Sequence, residues 1–155
     1  MDPRYVHIDA GVTTQDIALV DRDVTARLLN WGLGAYVRPV GACVDILLRL
    51  AGETRAGGAH AVEMWWNGRH LITAVSGTAP GVLRDTTGLH PGLVRVAALS
   101  DGWGVCAGRS GTLTWFSHRT HEHQPALRVP RPPTPVLHTA RVPEAEAFSP
   151  AVPRC

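Results

Sequence analysis

The sequence predicts an α+β fold in which helices pack on one face of a mostly antiparallel mixed sheet, two layers in all. Three observations predict it. Residues 17–30 and 40–55 space their apolar side chains three and four apart, the period of a helix buried on one side. Residues 61–66 and 69–75 are β-rich runs flanking Asn67-Gly68, the dipeptide that most favours a tight hairpin. Residues 103–107 and 112–117 flank Gly108-Arg109-Ser110-Gly111 in the same manner.

Taken in order, Tyr5-Val6-His7-Ile8 alternates and suits a short edge strand. Thr14 and Asp16 offer capping oxygens to the first helix, and Ile17, Val20, Val24, Leu28 and Leu29 form its stripe. Asn30-Trp31-Gly32-Leu33-Gly34 closes it, with glycines suited to positive φ. In the second helix Val44, Leu47, Leu48 and Ala51 make the inner face, and Gly57-Gly58 stops it. A type I′ turn at Asn67-Gly68 joins the first hairpin. Thr78-Ala79-Pro80-Gly81 opens a loop lasting to about Leu89, and residues 93–99 read as a short buried helix before the second hairpin. Met64, Trp65 and Trp66 are consecutive, so alternation sends the two tryptophans to opposite faces of the sheet. Whichever lies uncovered is a candidate interface anchor.

Composition sets the limits. The chain has 155 residues and 16.6 kDa, which suits one domain with an appendage. Such a chain buries roughly two-thirds of its unfolded surface, enough for a core without staples. No run of apolar residues is long enough to span a bilayer, and Met1-Asp2-Pro3-Arg4 lacks the order of a signal peptide. Cys43, Cys106 and Cys155 are too few for a disulfide framework; Cys43 and Cys106 read as small core residues, and a cytoplasmic location is expected. All 15 basic residues are arginine, scattered and balanced by 13 acids. A nucleic-acid footprint concentrates its charge on one face, so neither nucleic acid nor membrane is an expected partner. Eight of the 12 prolines fall in residues 120–155, where they exclude helix and central strand. The expected division is a folded domain at 1–119 and a proline-rich, solvated tail at 120–155. Within it, Arg131-Pro132-Pro133-Thr134-Pro135 has the form of a polyproline ligand. His118, His121 and His123 sit at the domain edge and read as loop histidines rather than metal ligands.

Several motifs in this order carry a resemblance. Trp31-Gly32-Leu33 follows the first helix. Gly88-Leu89-His90-Pro91-Gly92-Leu93-Val94 enters the third. Ser100-Asp101-Gly102-Trp103-Gly104-Val105 starts one closing strand, and Ser110-Gly111-Thr112-Leu113-Thr114-Trp115 the other. Over about residues 5–118 the set resembles the GHKL superfamily of ATP-binding domains, the fold of histidine kinases and Hsp90, and within it the anti-sigma-factor serine kinases. The resemblance implies a Bergerat-type fold, ATP and Mg²⁺ as cofactors, a homodimer, and a protein partner such as a STAS-type anti-sigma antagonist or a sigma factor.

The same resemblance implies a Glu-x-x-x-Asn pair on the second helix, which places Arg49 at the base position and Glu53 at the metal-holding position. Arginine neither takes a proton nor binds a cation, so no catalytic residue is assigned and Glu53 is the single candidate Mg²⁺ ligand. Arg49 and Glu53, four apart, also suit a surface ion pair. Gly77 stands where the family has an adenine-reading aspartate, with Ser76 and Thr78 as weak substitutes. Gly92 keeps the last glycine of the lid, although Pro91 removes a donor, and Thr112 keeps the closing Gly-Thr. The expected cofactor-binding set is therefore Glu53, Gly77, Gly92 and Thr112. The expected function is a degenerate kinase acting by protein–protein binding in a partner-switching system. The alternative is an active ATP-dependent serine kinase with displaced acids, drawn from Asp45, Glu53 and Asp85. A third reading takes the domain as an interaction module presenting its hairpin face.

Overall fold

The computed structural model describes residues 2–53, 59–85, 88–108 and 111–120. Strand β1 (Arg4–Ala10) leads to helix α1 (Thr14–Asn30), and a 3-10 turn at Gly34–Tyr36 leads into helix α2 (Val37–Gly52). Strands β2 (His60–Trp66) and β3 (His70–Ser76) follow, then a one-turn helix α3 (Pro80–Leu83) and the two-residue strands β4 (Arg84–Asp85) and β5 (Gly88–Leu89). Helix α4 (Pro91–Leu99) and strands β6 (Gly102–Gly108) and β7 (Gly111–Arg119) complete the order. Five strands form one sheet in the order β1-β2-β3-β7-β6. Each neighbouring pair is antiparallel, so this sheet is not mixed. The long connection through α4 brings β7 back against β3 in the opposite sense. The architecture is the expected two-layer α+β sandwich.

Local chemistry accounts for the boundaries. Thr13, one residue ahead of the expected cap, begins α1: its Oγ1 accepts from the Asp16 amide at 3.1 Å, and the Asp16 carboxylate accepts from the Thr13 amide at 3.4 Å. This reciprocal box satisfies two orphan donors. Ile17, Val20, Val24 and Leu28 are buried, but Leu29 is 59 % exposed, because one residue beyond Leu28 turns about 100° off the stripe. Gly32 takes the expected positive φ, 76°. Helix α2 starts three residues earlier than expected, since Pro39 falls in the first turn, where its missing N–H has no helical partner to lose. Its expected stop at Gly57-Gly58 lies outside the described residues.

The first hairpin forms, with its turn moved by one residue. Trp66 pairs with Leu71, the Asn67 amide donates to the His70 carbonyl at 3.3 Å, and Gly68 holds φ at 90°. The Asn67 side chain accepts from the Arg69 and His70 amides at 3.0 and 2.8 Å. Asn67 therefore braces the turn from its flank instead of occupying its centre. The expected loop from Thr78 to Leu89 contains α3 and the β4–β5 ladder. His118 is not a loop residue: it lies on β7, 5 % exposed, while His121 and His123 lie outside the described residues.

The core fills the space between helices and sheet. Val24, Leu28, Leu47, Leu48, Leu71, Leu93 and Phe116 are all 0 % exposed, and each such side chain contributes about 1.5–3 kcal/mol relative to exposure. Trp66 faces this side, stacked on Trp31 at 6.3 Å, and its indole N–H donates to Thr120 Oγ1 at 2.9 Å. Thr120, the first residue of the expected tail, is thereby part of the domain. The rest of that expected tail lies outside the described residues. Trp65 faces the opposite side, as alternation requires. No helix among the described residues is long and apolar enough to cross a membrane.

Candidate functional site

Helix α2 carries two neighbouring stripes. On the outer one, Arg49 grips Asp45 one turn back through two bonds, Nε to Oδ2 at 2.9 Å and Nη2 to Oδ1 at 3.0 Å. That pairing raises the guanidinium pKa further, chiefly through the hydrogen bond to Asp45. The expected Arg49–Glu53 pair does not form; Asp45 takes its place. On the inner stripe, Ile46 and Leu50 face Gly92 at the start of α4. A Cβ added to Gly92 would stand 2.9 Å from Ile46 Cγ2 and 3.3 Å from Leu50 Cδ1. The α2 residues one turn apart that meet α4 are thus Ile46 and Leu50; Arg49 sits about 60° round the helix from Ile46 and about 100° from Leu50, while Glu53, seven residues after Ile46, falls about 20° from it.

The N-terminus of α4 is satisfied from within. Pro91 has no N–H. The Gly92 amide donates to His90 Nδ1 at 2.9 Å, and the Leu93 and Val94 amides donate to the His90 carbonyl at 2.9 and 3.3 Å. All four first-turn positions that would otherwise attract an anion are accounted for. Since His90 Nδ1 accepts, its neutral ring carries the proton on Nε2, which lies 3.9 Å from Glu53 Oε2. The structure therefore brings Glu53 and Gly92 together through His90.

Gly77 and Thr112 meet at another corner, where the Gly77 amide donates to the Thr112 carbonyl at 3.0 Å. Gly77 has φ of 94°, and a Cβ there would collide with His60 Nδ1. An aspartate has neither the backbone conformation nor the room. Ser76 Oγ accepts from the Ala61 amide at 2.9 Å, so it is already engaged. Thr78 is buried, and its hydroxyl has no protein partner. The same is true of Thr73 on β3 and Thr114 on β7, which alternate onto the helix side with Leu71, Val75 and Phe116. Asp85 contributes its backbone to the β4–β5 ladder.

A groove of about 430 Å³ runs over α2 between α1 and α4, lined by Ile17 and Asp21, by Asp45, Ile46 and Arg49, and by Arg95. Of the residues expected to act, only Asp45 and Arg49 line it. Among the described residues no three His, Cys, Asp or Glu side chains cluster as a metal site would require. Two other groups are set by burial. Cys43 is 0 % exposed and its thiol is pushed up to about 12 by burial, which makes it an inert core residue. Burial pushes His118 down, against weaker upward pulls from the Leu99 carbonyl and Asp101; its Nε2 donates to that carbonyl at 2.8 Å.

Sequence reasoning missed Ile46, Leu50, His60 and His90. The signal for the first two was present in the burial stripe of α2, which continues through Val40, Cys43, Leu47 and Leu50. His60 gave no signal, because it meets Gly77 only in the folded chain; His90 stands two residues before Gly92 and just ahead of Pro91, the local pattern of a helix cap.

No family model and no curated protein matches the chain. Among solved structures it is similar to the RsbU and RsbW domains of Rv1364c from Mycobacterium tuberculosis, with a TM-score of 0.54 and 17 % identity. The match covers 77 % of this chain and 32 % of that one, so the chain spans about a third of its neighbour's length. At this identity the likeness is one of fold, and the two-layer α+β sandwich is the common part.

Proposed function

We propose that this chain is a protein-binding regulator on a GHKL-like scaffold whose nucleotide chemistry has been lost, acting as one member of a partner-switching system. The observation that carries the reading is the Ile46–Leu50 contact with Gly92. A phosphotransfer site of this kind needs a proton acceptor and a metal-holding oxygen one helical turn apart, aimed at the lid helix. Two aliphatic side chains occupy that stripe. The residues present do not fit Mg²⁺-ATP: the α4 amides are engaged, Gly77 has no space for an acid, and Glu53 lies against His90. No step through nucleotide is therefore derived. The fold likeness to a structure containing an RsbW domain supports a protein partner, with a STAS-type antagonist or a sigma factor as the class to test.

The alternative, an active serine kinase with displaced acids, is disfavoured by the double hydrogen bond that ties Asp45 to Arg49. Calorimetry with Mg²⁺-ATP on the full chain, followed by incubation with a STAS-type protein and labelled ATP, separates the two. The expected outcome is no binding tighter than about 1 mM and no label transferred. Micromolar binding with a labelled partner serine overturns the proposal.

A further inference from the structure

The face of the sheet opposite the helices carries an apolar cluster with a buried centre. Cross-strand register sets Tyr5, Trp65 and Ile72 in one row, and Glu63, Ala74 and Trp115 in the next. Trp115 lies over Gly104, where an added Cβ would stand 2.6 Å from its ring. Trp65 on β2 and Trp115 on β7 therefore flank a floor of Ile72 and Ala74, about 10 Å apart at two strand spacings. Trp65 is 6 %, Ile72 5 % and Ala74 1 % exposed, although the apolar cluster here draws only on β2, β3, β6 and β7 among the described residues. Side chains on the open face of a single sheet are solvated at their tips. The burial of this centre therefore calls for a cover.

Reach, chemistry and charge select the occupant. The chain leaves the domain at Thr120, at the end of the strand beside β3, with 35 residues still to run. Its stretch Val129-Pro130-Arg131-Pro132-Pro133-Thr134-Pro135 favours a polyproline helix, and at about 3.1 Å per residue it reaches about 22 Å, enough to cross the sheet. Proline has no N–H to orphan on apolar ground, and troughs walled by aromatic rings are what grip such helices. The segment around it carries Arg128, Arg131 and Arg141 and no acid between Gln124 and Pro143, while the rim of the face carries Glu63 and a fully solvated Asp9. Cys106 shares this face, opposite Leu113.

We infer that the proline-rich C-terminal segment docks across the outer face of the sheet as a third layer, residues 129–135 lying in the trough between Trp65 and Trp115. Docking is independent of whether nucleotide binds.

Hydroxyl-radical footprinting of the reduced full chain, read by mass spectrometry at each tryptophan, tests this. The comparison is with a full-length variant in which Pro130, Pro132, Pro133 and Pro135 are all serine, and with a chain ending at Thr120. The expected result is labelling of Trp65 and Trp115 raised at least fivefold in both variants, with Trp31 and Trp66 unchanged on the helix side. A peptide of residues 124–140 added to the short chain should restore the protection. If the short chain labels everywhere it has unfolded, and the proline variant decides alone. Equal labelling of Trp65 in the full chain and the proline variant overturns the inference. So does protection that disappears on dilution, which would assign the face to a second copy.

Discussion

The α2–α4 contact and the β3–β7 corner are both filled, but by different means. At α2–α4 the closure is made by side chains: Ile46 and Leu50 pack on Gly92, and the His90 ring takes the Gly92 amide. At β3–β7 it is made by the backbone: Gly77 sits at φ 94° against the His60 ring. The first kind leaves the helical frame unchanged and is undone, in principle, by substitution. The second is a backbone conformation that strains any side chain placed at Gly77, and no exchange of a neighbouring side chain relieves it.

The largest effect is expected where the side-chain closure is deepest. Leu50 is 2 % exposed and belongs to the helix-side core. Leu50→Asn keeps the approximate volume but buries a carboxamide among aliphatic neighbours, with an expected loss of about 3–4 kcal/mol. Leu50→Met should cost less than about 1.5 kcal/mol. Urea denaturation reads both. A stable Leu50→Asn protein that binds Mg²⁺-ATP would mean the contact is a dormant site and not a plug.

The corner comes next. Gly77→Asp meets a φ unfavourable to any side chain, about 1–2 kcal/mol, and a collision with His60 that adds a similar amount. We expect a loss of about 3 kcal/mol, roughly half of it recovered by adding His60→Ala, because that change removes the collision and leaves φ as it was. A double variant no better than the single would place the whole cost in the backbone.

The sequence made the frame legible, whereas the site depends on contacts that spacing does not carry. Periodicity located α1, α2 and both hairpins, since burial on one side imposes a period that survives in any sequence with a core. The resemblance put its Glu-x-x-x-Asn spacing on Arg49 and Glu53, and that spacing is the same on every stripe of a helix. Only contact with Gly92 distinguishes the stripe that holds Ile46 and Leu50. The Asn67-Gly68 turn was likewise identified by composition, while its register depended on which strand residues pair. His118 looked like an edge histidine because the prolines beyond it suggested the end of order, yet β7 runs to Arg119.

His118 gives a smaller effect that again separates interior from rim. Its folded pKa is lowered by burial from the ordinary 6.5, so below about that pH the unfolded chain binds the proton more readily and stability falls. The melting temperature should drop between pH 7 and pH 5. His118→Gln keeps a donor for the Leu99 carbonyl and does not titrate, so its drop should be smaller. His7 works in the opposite sense: its pKa is raised by hydrogen bonds to Asp9 and then Glu63, and its contribution is lost as pH rises. It is exposed at the sheet edge, and solvent screening keeps that contribution small. An unchanged pH profile in His118→Gln would remove the buried histidine as the cause.

The smallest effect is expected at the residue the sequence placed at the heart of the site. Arg49 is exposed and its partner Asp45 is one turn away on the same helix, so the pair already stands close in any folded or helical state. Solvent and salt screen what remains. Arg49→Ala should leave the urea midpoint unchanged within error. Nucleotide binding gives a second readout: if Arg49 blocked an otherwise competent site, its removal would raise the affinity for Mg²⁺-ATP, whereas closure by Ile46, Leu50 and Gly77 predicts no gain. A midpoint and an affinity both unmoved by Arg49→Ala, beside a large loss in Leu50→Asn, would assign the closure to the inner stripe of α2 and not to the charge on its surface.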